Sequence, residues 1–379
     1  MAIYLDNGAT SYPKPESVCS AVTDYMRNNG ASPGRGNYER ARDADTLVYR
    51  TRKLLCKLLG AKRPGQIIFT SNATESLNLA LKGYLKPEDS VLTTSYEHNA
   101  MWRPLKKMED ERNIKIRQIP CAPDGRADIA SLHEYLRGVT LVAVSHGSNV
   151  TGCVTPLDEI TAAAHKQNIP VLTDAAQTAG VYPIDVTGVP IDMLAFTGHK
   201  GLMGPTGTGG LYIREGMELG TLKEGGTGGM SSSPYPPSEP PDRYEAGTMN
   251  ICGLAGLHAA LTFIIDAGVD DIREHEINLT KLLLEGLDTI PRLKYYGPSS
   301  AEDRLGLVSF NIEGHDPNKV ALTLDSDYGI MVRSGLHCAP QAHRLLGTEH
   351  IGAVRVSLGY FNQKEDVDLL IDAVRHIAA

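Results

Sequence analysis

Five apolar runs of the sequence, each typical of a buried strand, are followed at once by polar or ionisable residues. These polar stretches are Ser71–Glu75, Ser95–His98, His146–Asn149, Asp174–Gln177 and Thr197–Lys200. In a parallel sheet the carboxyl ends of the strands meet at one edge, and ligands bind there. The sequence therefore predicts a single polar site to which all of these stretches contribute.

The first and last stretches contain groups that suit a phosphate. Ser71–Thr74 opens a predicted helix, and the first N–H groups and the dipole of a helix attract anions. Ala73 and Thr74 would lie at this helix start, and Thr197 and His199 can add further donors. The pattern is typical of a phosphate seat.

The remaining groups suit the ring and the aldehyde of a cofactor. Asp174 can hold a heteroaromatic nitrogen in its protonated form, and the imidazole of His98 can stack on the ring. Lys200 follows an apolar run and has small neighbours, so its amine can reach an aldehyde. Together with the phosphate seat, these groups indicate pyridoxal 5'-phosphate (PLP) bound as a Schiff base.

Each of these residues, taken alone, has a simpler interpretation. Thr74 and Asp174 are also good helix-start residues, His98 is compatible with a hydrogen-bonded loop, and Lys200 with the solvated surface. The convergence of all four on one sheet edge favours the cofactor site.

The elements that position these residues alternate between strand and helix patterns. Apolar runs predict strands at 67–70, 91–94, 141–145, 171–173 and 193–196, with helices at 75–83 and 156–167 between them. Such alternation predicts an α/β fold with a mainly parallel sheet covered on both faces.

The pattern changes after Gly247. Helices over about 252–267 and 272–287 precede strands at 308–312 and 354–357 and a final helix from Glu365. This order predicts a smaller α+β domain. We divide the chain into an N-terminal segment, 1–16, that packs with the small domain, a large PLP-binding domain, 17–250, and a linking helix with the small C-terminal domain, 251–379.

Composition excludes several classes of function. The chain has 379 residues and a formal charge of -8, with no basic block that would bind nucleic acid. No apolar run approaches the roughly 20 residues of a membrane span, and the first residues do not resemble a signal peptide. The six cysteines are scattered without a CxxC pair, so neither a metal site nor a disulfide framework is expected. A reducing, cytoplasmic setting fits this pattern.

The stretch 231–241 is rich in proline and serine and can form neither a helix nor a central strand. Two interpretations stay open for it. It is either a surface linker or an ordered loop that packs on a partner subunit beside the site.

The order of the motifs resembles that of the class V aminotransferase family of fold-type I PLP enzymes, and within it the cysteine desulfurases and selenocysteine lyases of the SufS type. The resemblance covers nearly the whole chain, from Tyr4 to the final helix. The motifs that carry it are Thr74–Glu75, Glu97–His98, Ser148–Asn149, Asp174–Gln177, Gly198–Lys200, Tyr244–Thr248 and Arg333–Cys338. The resemblance implies a large domain with a mainly parallel, seven-stranded sheet.

The resemblance also implies a role for each matching residue around the cofactor. Lys200 would be the Schiff-base lysine, Asp174 the partner of the pyridinium nitrogen, and Gln177 the donor to the ring hydroxyl. His98 would stack on the ring and help to move protons. The other implied PLP-binding residues are Ala73, Thr74, Ala176, Thr197, His199, Gly247 and Thr248.

Further implied roles concern the substrate, the partner subunit and the sulfur. Thr248 would reach the phosphate bound by the other subunit, which implies a homodimer. Asn149 and Arg355 would hold the substrate carboxylate. Cys338 would be the nucleophile that takes the sulfur, and we expect nearby His337 and Arg333 to lower the pKa of its thiol.

The resemblance thus implies a PLP-dependent enzyme that converts L-cysteine to L-alanine and leaves sulfur on Cys338 as a persulfide. A selenocysteine lyase or another PLP-dependent C–S lyase is the nearest alternative. An aminotransferase would leave the Cys338 loop without a use, and a non-catalytic sulfur-transfer scaffold would not need Lys200.

Leu336 replaces a histidine common in the SufS type, and the usual methionine between Ala339 and Pro340 is absent. The short span from Arg333 to Arg355 suggests that the loop carrying Cys338 is restrained. Such a loop can need a sulfur-acceptor protein to remove the sulfur.

Overall fold

The computed structural model describes residues 2–34, 36–227 and 232–379. The strands are β1 Ile3–Tyr4, β2 Ile67–Thr70, β3 Ser90–Thr94, β4 Lys115–Ile119, β5 Leu141–Ser145, β6 Val171–Asp174, β7 Met193–Thr197, β8 Gly209–Ile213, β9 Leu293–Tyr296, β10 Leu307–Ile312, β11 Ile330–Met331, β12 Arg333–Gly335 and β13 Ala353–Ser357. The helices are α1 Glu16–Asp24, α2 Glu39–Leu59, α3 Ala73–Tyr84, α4 Asn99–Arg112, α5 Leu132–Tyr135, α6 Leu157–His165, α7 Ile251–Ala267, α8 Val269–Asp288, α9 Pro317–Tyr328, α10 Pro340–Leu346 and α11 Lys364–Ala378.

Seven strands form the larger sheet, in the spatial order β2-β8-β7-β6-β5-β3-β4. β8 runs antiparallel to both of its neighbours, and the other neighbouring pairs are parallel. Every residue of β5, β6 and β7 is buried, as expected for parallel strands covered on both faces. The predicted mainly parallel sheet is confirmed.

The two faces of this sheet pack against different helices. Val142 and Val144 of β5 lie in one apolar core with residues of α2, α6 and α7. Leu141 and Ala143 of the same strand lie in a second core with residues of α3 and α4. Successive strand residues point to opposite faces, so one short apolar run contributes to both cores.

The smaller sheet is antiparallel, in the order β12-β13-β10-β9. Its core includes apolar residues of α8 and α11, and Ile3 and Leu5 from the N-terminal segment belong to the same core. β1 pairs in parallel with β11, with Ile3 opposite Ile330. The start of the chain therefore packs with residues near its end, whereas the domain boundaries at residues 16 and 250 stay predictions.

The sequence did not predict β8, and the reason lies in its first two residues. Gly209 and Gly210 have low strand propensity, yet both are required where the backbone passes close to its neighbours. A Cβ at Gly209 would lie 2.6 Å from the Cα of Asn72, and one at Gly210 would collide with the ring of Phe196. The close approach brings β8 against the loop that begins α3.

Residues 232–241 of the proline-rich stretch form turns and irregular backbone, and Tyr235 within them is 76% exposed. Ser231, its first residue, lies outside the described residues.

In the part of the chain that the structure describes, no single helix is both long and apolar enough to cross a membrane. Only α7 and α8 counted together, with a bend of 77° between them, reach the length and composition of a span.

Arg304 joins the small sheet to the large domain. Its side chain is completely buried and donates hydrogen bonds to the backbone carbonyls of Tyr296, Pro298 and Leu307. Its backbone forms a bridge with Cys153 of the large domain. Burial lowers the pKa of the guanidinium to about 10, so it remains charged at neutral pH.

Replacing Arg304 by methionine keeps the side-chain length but leaves the three carbonyls without their donor. We expect the free energy of unfolding to fall by about 2–4 kcal/mol, measured by urea denaturation. Arg375, which pairs with Asp372 on the surface, provides the control, and its methionine variant should lose at most about 0.5 kcal/mol. Equal stabilities for the two variants would contradict this role of Arg304.

Candidate active site

A cavity of about 550 Å³ lies at the carboxyl edge of the seven-stranded sheet. All five polar stretches singled out in the sequence contribute to its wall. The predicted site residues that line it are Ala73, Thr74, His98, Asn149, Asp174, Ala176, Gln177, Thr197, His199 and Lys200.

The start of α3 supplies backbone donors to this cavity. Asn72 caps the helix, with its side chain accepting from the N–H of Glu75 at 3.0 Å, so Thr74 is not the capping residue. The first N–H groups of a helix have no partner within the helix. Beside them, Oγ1 of Thr197 and Nδ1 of His199 are buried and have no hydrogen-bond partner among the described residues. This set of unused donors fits a phosphate.

His98 is the N-cap residue of α4, directly before the first helical residue, Asn99. Its Nδ1 accepts from the N–H of Ala100 at 3.0 Å, which leaves the ring proton on Nε2. Burial, together with the positive charge of Lys200, lowers the pKa of His98 to about 4. The imidazole is therefore neutral near pH 7 and held in one orientation at the cavity wall.

The neighbouring Glu97 is fully buried and ties two strands of the sheet together. Its carboxylate accepts from the hydroxyl of Thr94 in β3 and from the hydroxyl of Ser145 in β5, each at 2.6 Å. Burial raises the pKa of Glu97 despite these donors. Sequence reasoning gave Glu97 no role, although the pair Glu97–His98 was one of the motifs.

Asp174 and Lys200 carry the opposite charges of the cavity. Burial raises the pKa of Asp174, whose carboxylate accepts one hydrogen bond from the N–H of Ala176 at 2.9 Å. Burial lowers the pKa of Lys200 to about 8, and the attraction of Asp174 opposes this shift. A carboxylate buried at this point would stabilise a protonated ring nitrogen, as predicted for Asp174.

The N-terminal segment holds the backbone next to Lys200. The carbonyl of His199 accepts from Thr10 Oγ1 at 3.0 Å, from the N–H of Ser11 at 3.0 Å and from Lys14 Nζ at 2.8 Å. Burial lowers the pKa of Lys14 to about 8. Sequence reasoning missed this contribution, and a lysine between two prolines was the one available signal.

The N-terminal segment also reaches the cavity wall. Nε2 of Gln177 donates to the carbonyl of Gly8 at 3.0 Å, which orients the amide side chain. The second N–H of this amide is the group that could serve the ring hydroxyl assigned to Gln177.

Cys338 lies exposed on a loop that is attached to the cavity rim. The carbonyl of Cys338 accepts from the N–H of Asn99, at the start of α4, at 2.8 Å. Nδ2 of Asn149 donates to the carbonyl of His337 at 2.6 Å. His337 and Cys338 have φ angles of 49° and 56°, so two consecutive residues adopt the left-handed conformation.

The expectation that His337 assists the thiol is wrong. Its ring is buried, and its Nδ1 lies 3.2 Å from Nε2 of His343, which in turn bonds to Thr348. Burial lowers the pKa of His337 to about 2, so the ring is neutral and offers no positive charge to Cys338. Arg333 is the remaining cation of the motif.

Arg355 reaches the same region from β13. Its Nη1 donates to the carbonyl of Asn149 at 3.2 Å, and its Nη2 pairs with Asp6 at 2.9 Å. Its Nε is buried without a partner among the described residues. The structure therefore brings Asn149, Arg355 and the Cys338 loop together.

Gly247 and Thr248 do not line this cavity. Both are exposed and border a separate depression with Glu75 and Lys223. The preceding Glu245 anchors them, because it forms a buried ion pair with Arg52.

Comparison with known proteins identifies the family. A family model described as aminotransferase class-V matches residues 3–370. The chain belongs to the class V aminotransferase family. This membership, and the predicted fold type that accompanies it, are confirmed.

Two class V relatives are each 35% identical to the chain and are named probable cysteine desulfurases. The relative from Synechocystis sp. aligns over 98% of this chain and 90% of its own length, and the relative from Pyrococcus abyssi over 99% and 94%. The apo structure of a cysteine desulfurase from Thermococcus onnurineus superposes with a TM-score of 0.94 at 36% identity, covering 100% of this chain and 94% of that one. Cysteine desulfurase CsdA from Escherichia coli has a TM-score of 0.89 at 29% identity, covering 99% and 94%.

His146, in the third of the five polar stretches, does not line the cavity and instead packs inside the fold. His146 is buried, with Nδ1 3.0 Å from the hydroxyl of Thr178 and its ring packed edge-on to Tyr182. Burial lowers the pKa of His146 to about 4. Below about pH 6.5 the imidazole of residue 146 is therefore protonated in the unfolded chain, whereas in the folded chain it stays neutral down to about pH 4.

His146 should thus make the protein sensitive to acid. Its folded pKa lies below its unfolded pKa, so stability is lost as the pH falls from about 6.5 toward 4. Replacing His146 by asparagine keeps a partner for Thr178 but removes the titration. Between pH 7 and pH 5, the wild type should lose about 1–2 kcal/mol more of its free energy of unfolding than the variant, by urea denaturation at each pH. Parallel losses in both proteins would contradict the assignment.

Proposed function

We propose that this protein is a PLP-dependent cysteine desulfurase that converts L-cysteine to L-alanine and transfers the sulfur to Cys338 as a persulfide. The observation that carries the proposal is the exposed thiol on a loop fixed to the rim of a cavity that contains the half-buried Lys200. The names of the relatives support the same reaction.

The residues at the cavity fit PLP. The start of α3 with Ala73 and Thr74, and the unpartnered polar atoms of Thr197 and His199, would hold the phosphate. Asp174 would hold the ring nitrogen, and Ala176 and Gln177, which also line the cavity, would contact the ring. When bound, the cofactor supplies an electron sink that weakens the bond between the α-carbon of the amino acid and its proton.

Lys200 would move that proton. With a pKa of about 8, its amine is partly unprotonated near neutral pH and can accept the α-proton at Nζ. The neutral ring of His98 has its Nε2–H available at the cavity wall, where it can donate to the substrate. Asn149 and Arg355 would hold the substrate carboxylate, for which Nε of Arg355 is unused.

Cys338 would complete the reaction as a thiolate. Its sulfur forms a bond with the substrate sulfur while the bond between that sulfur and the β-carbon breaks. The β-carbon then takes a proton and becomes the methyl group of alanine. The persulfide stays on an exposed loop, which suits delivery to a sulfur-acceptor protein in a reducing, cytoplasmic compartment.

The position of Thr248 supports a homodimer. Thr248 is exposed and lies outside the cavity of its own chain, so a phosphate contact by this residue needs the cavity of a second subunit. A C₂ dimer in which each subunit completes the other's site satisfies this requirement.

Replacing Cys338 by alanine tests the nucleophile. Alanine formation from cysteine should fall by at least about a hundredfold, while the visible absorption of bound PLP stays, because the cofactor contacts do not involve the thiol. Mass spectrometry of the wild type after brief exposure to cysteine should find one added sulfur on the Cys338 peptide.

Cys19 is also exposed and far along the chain from Cys338, so its alanine variant is the matched control and should keep wild-type turnover. Unchanged cysteine turnover in the Cys338 variant would leave a PLP lyase and overturn the desulfurase. Selenocysteine turnover that survives while cysteine turnover is lost would identify selenolate departure without the thiol.

Mixing two inactive variants tests the dimer. A subunit with Lys200→Ala and a subunit with Thr248→Ala should form heterodimers with one intact and one doubly damaged site. Random mixing should restore roughly a quarter of wild-type activity, because half of the dimers each contain one intact site of two. A fully active monomer in light scattering would exclude the shared site.

A further inference from the structure

Three charged side chains form a cluster beside the cavity. Asp6 Oδ2 lies 2.9 Å from both Nε and Nη2 of Arg333, and Asp6 Oδ1 lies 2.9 Å from Nη2 of Arg355. None of the roles assigned above includes Asp6. One carboxylate therefore bridges the cysteine loop, through Arg333, and the proposed substrate-binding arginine.

The backbone of Asp6 is fixed where the two arginines meet. Residue 6 forms a parallel bridge with Ser357, the N–H of Leu5 donates to the carbonyl of Met331, and the N–H of Gly8 donates to the hydroxyl of Ser357. The carboxylate is thus placed by strand pairing with both β11 and β13, and its position does not depend on a flexible terminus.

The two arginines need this carboxylate. Arg333 and Arg355 are directly opposite each other in the antiparallel pair β12/β13, and like charges in such a pair repel. Arg355 is also buried, which makes an uncompensated charge costly. Asp6 offsets one of the two positive charges.

The cluster retains one positive charge and one unused donor. Two guanidinium groups and one carboxylate leave a formal charge of +1, and Nε of Arg355 is buried without a partner among the described residues. That balance suits one further carboxylate. Within the cluster itself, a second negative charge on the same ligand would have no cation left to pair with.

In an amino acid with an anionic β-substituent, the negative charge of that substituent would lie close to Arg333. The β-substituent must approach Cys338, which lies in the turn three residues after β12, the strand that Arg333 begins. The other groups near this point are the amine of Lys200, the hydroxyl of Tyr4, which bonds to backbone carbonyls, and the neutral ring of His337. Arg333 is the cation whose charge Asp6 offsets.

We propose that Asp6 is a positioning residue that sets substrate specificity: it holds Arg333 and offsets its charge, so that the site favours amino acids with an uncharged β-substituent over those with an anionic one. The inference rests on the proposed function. It assigns the α-carboxylate to Arg355 and the discrimination at the β-position to the pair Asp6–Arg333.

The test compares two substrates that both yield alanine, L-cysteine and L-cysteine sulfinate, in wild type and in Asp6→Asn. The ratio of kcat/KM for the sulfinate to kcat/KM for cysteine should rise about tenfold in the variant, since Arg333 regains a free charge. A ratio is insensitive to loss of active enzyme. Calorimetric titration of the holoenzyme with L-alanine and with L-aspartate should show the same shift in the ratio of Kd values.

Arg333→Gln is the second variant, and its side chain is half exposed, so the fold should tolerate it. It leaves the Asp6 charge without its main partner and should move the ratio of Kd values, which does not depend on the thiol of Cys338, in the opposite direction. Asp372→Asn, which breaks an exposed Asp–Arg pair elsewhere, is the matched control and should leave both ratios unchanged.

Unchanged ratios in Asp6→Asn and Arg333→Gln would overturn the inference and leave the proposed function intact. Absence of alanine formation from cysteine by the wild type would overturn the proposed function itself. Equal binding shifts for L-alanine and L-aspartate would assign Asp6 a purely structural role and would also contradict the inference.

Discussion

The chemistry of this protein depends on a half-buried amine, that of Lys200, in the same cavity as a buried carboxylate, that of Asp174. Burial disfavours the charge of Lys200 and brings the pKa of its amine to about 8, while Asp174 attracts the charged form. Asp174 is the last residue of β6, and Lys200 follows the end of the adjacent strand β7 by three residues. Every residue of both strands is buried. The parallel sheet thus brings these two charged groups into one cavity, because the ends of its strands fix both backbones.

The rest of the molecule surrounds this pair with groups that are neutral or already engaged. The histidines at the cavity, His98 and His199, are both neutral near pH 7 because burial lowers their pKa to about 4. Glu97 is enclosed by four hydrogen-bond contacts from Thr94 and Ser145. Such fully satisfied polar networks hold side chains in place in a low-dielectric site. Little reorganisation is then required when a phosphorylated ring and an amino acid enter.

The sequence was sufficient to locate the cavity, because its residues come directly after apolar strands. Asp174 and Lys200 are examples, since their neighbours in sequence also determine their position in space. The contribution of Asp6 was not predictable in the same way, because its partners Arg333 and Arg355 are more than three hundred residues away and depend on tertiary pairing. The prediction for His337 failed for a different reason: its ring is buried against His343, and burial keeps it neutral.

The pairing of the first residues with β11 and β13 has a consequence for the order of assembly on the ribosome. Leu5 accepts a backbone hydrogen bond from Ser357, so this contact closes a loop of about 350 residues. At typical synthesis rates of about 5–20 residues per second, the seven-stranded sheet emerges well before β13 does. Until then the core that Ile3 and Leu5 enter lacks the apolar residues of β13 and α11, and Arg355 has not been synthesised. A nascent chain can therefore hold a nearly complete cofactor cavity for several seconds while it still lacks the arginine expected to bind the substrate.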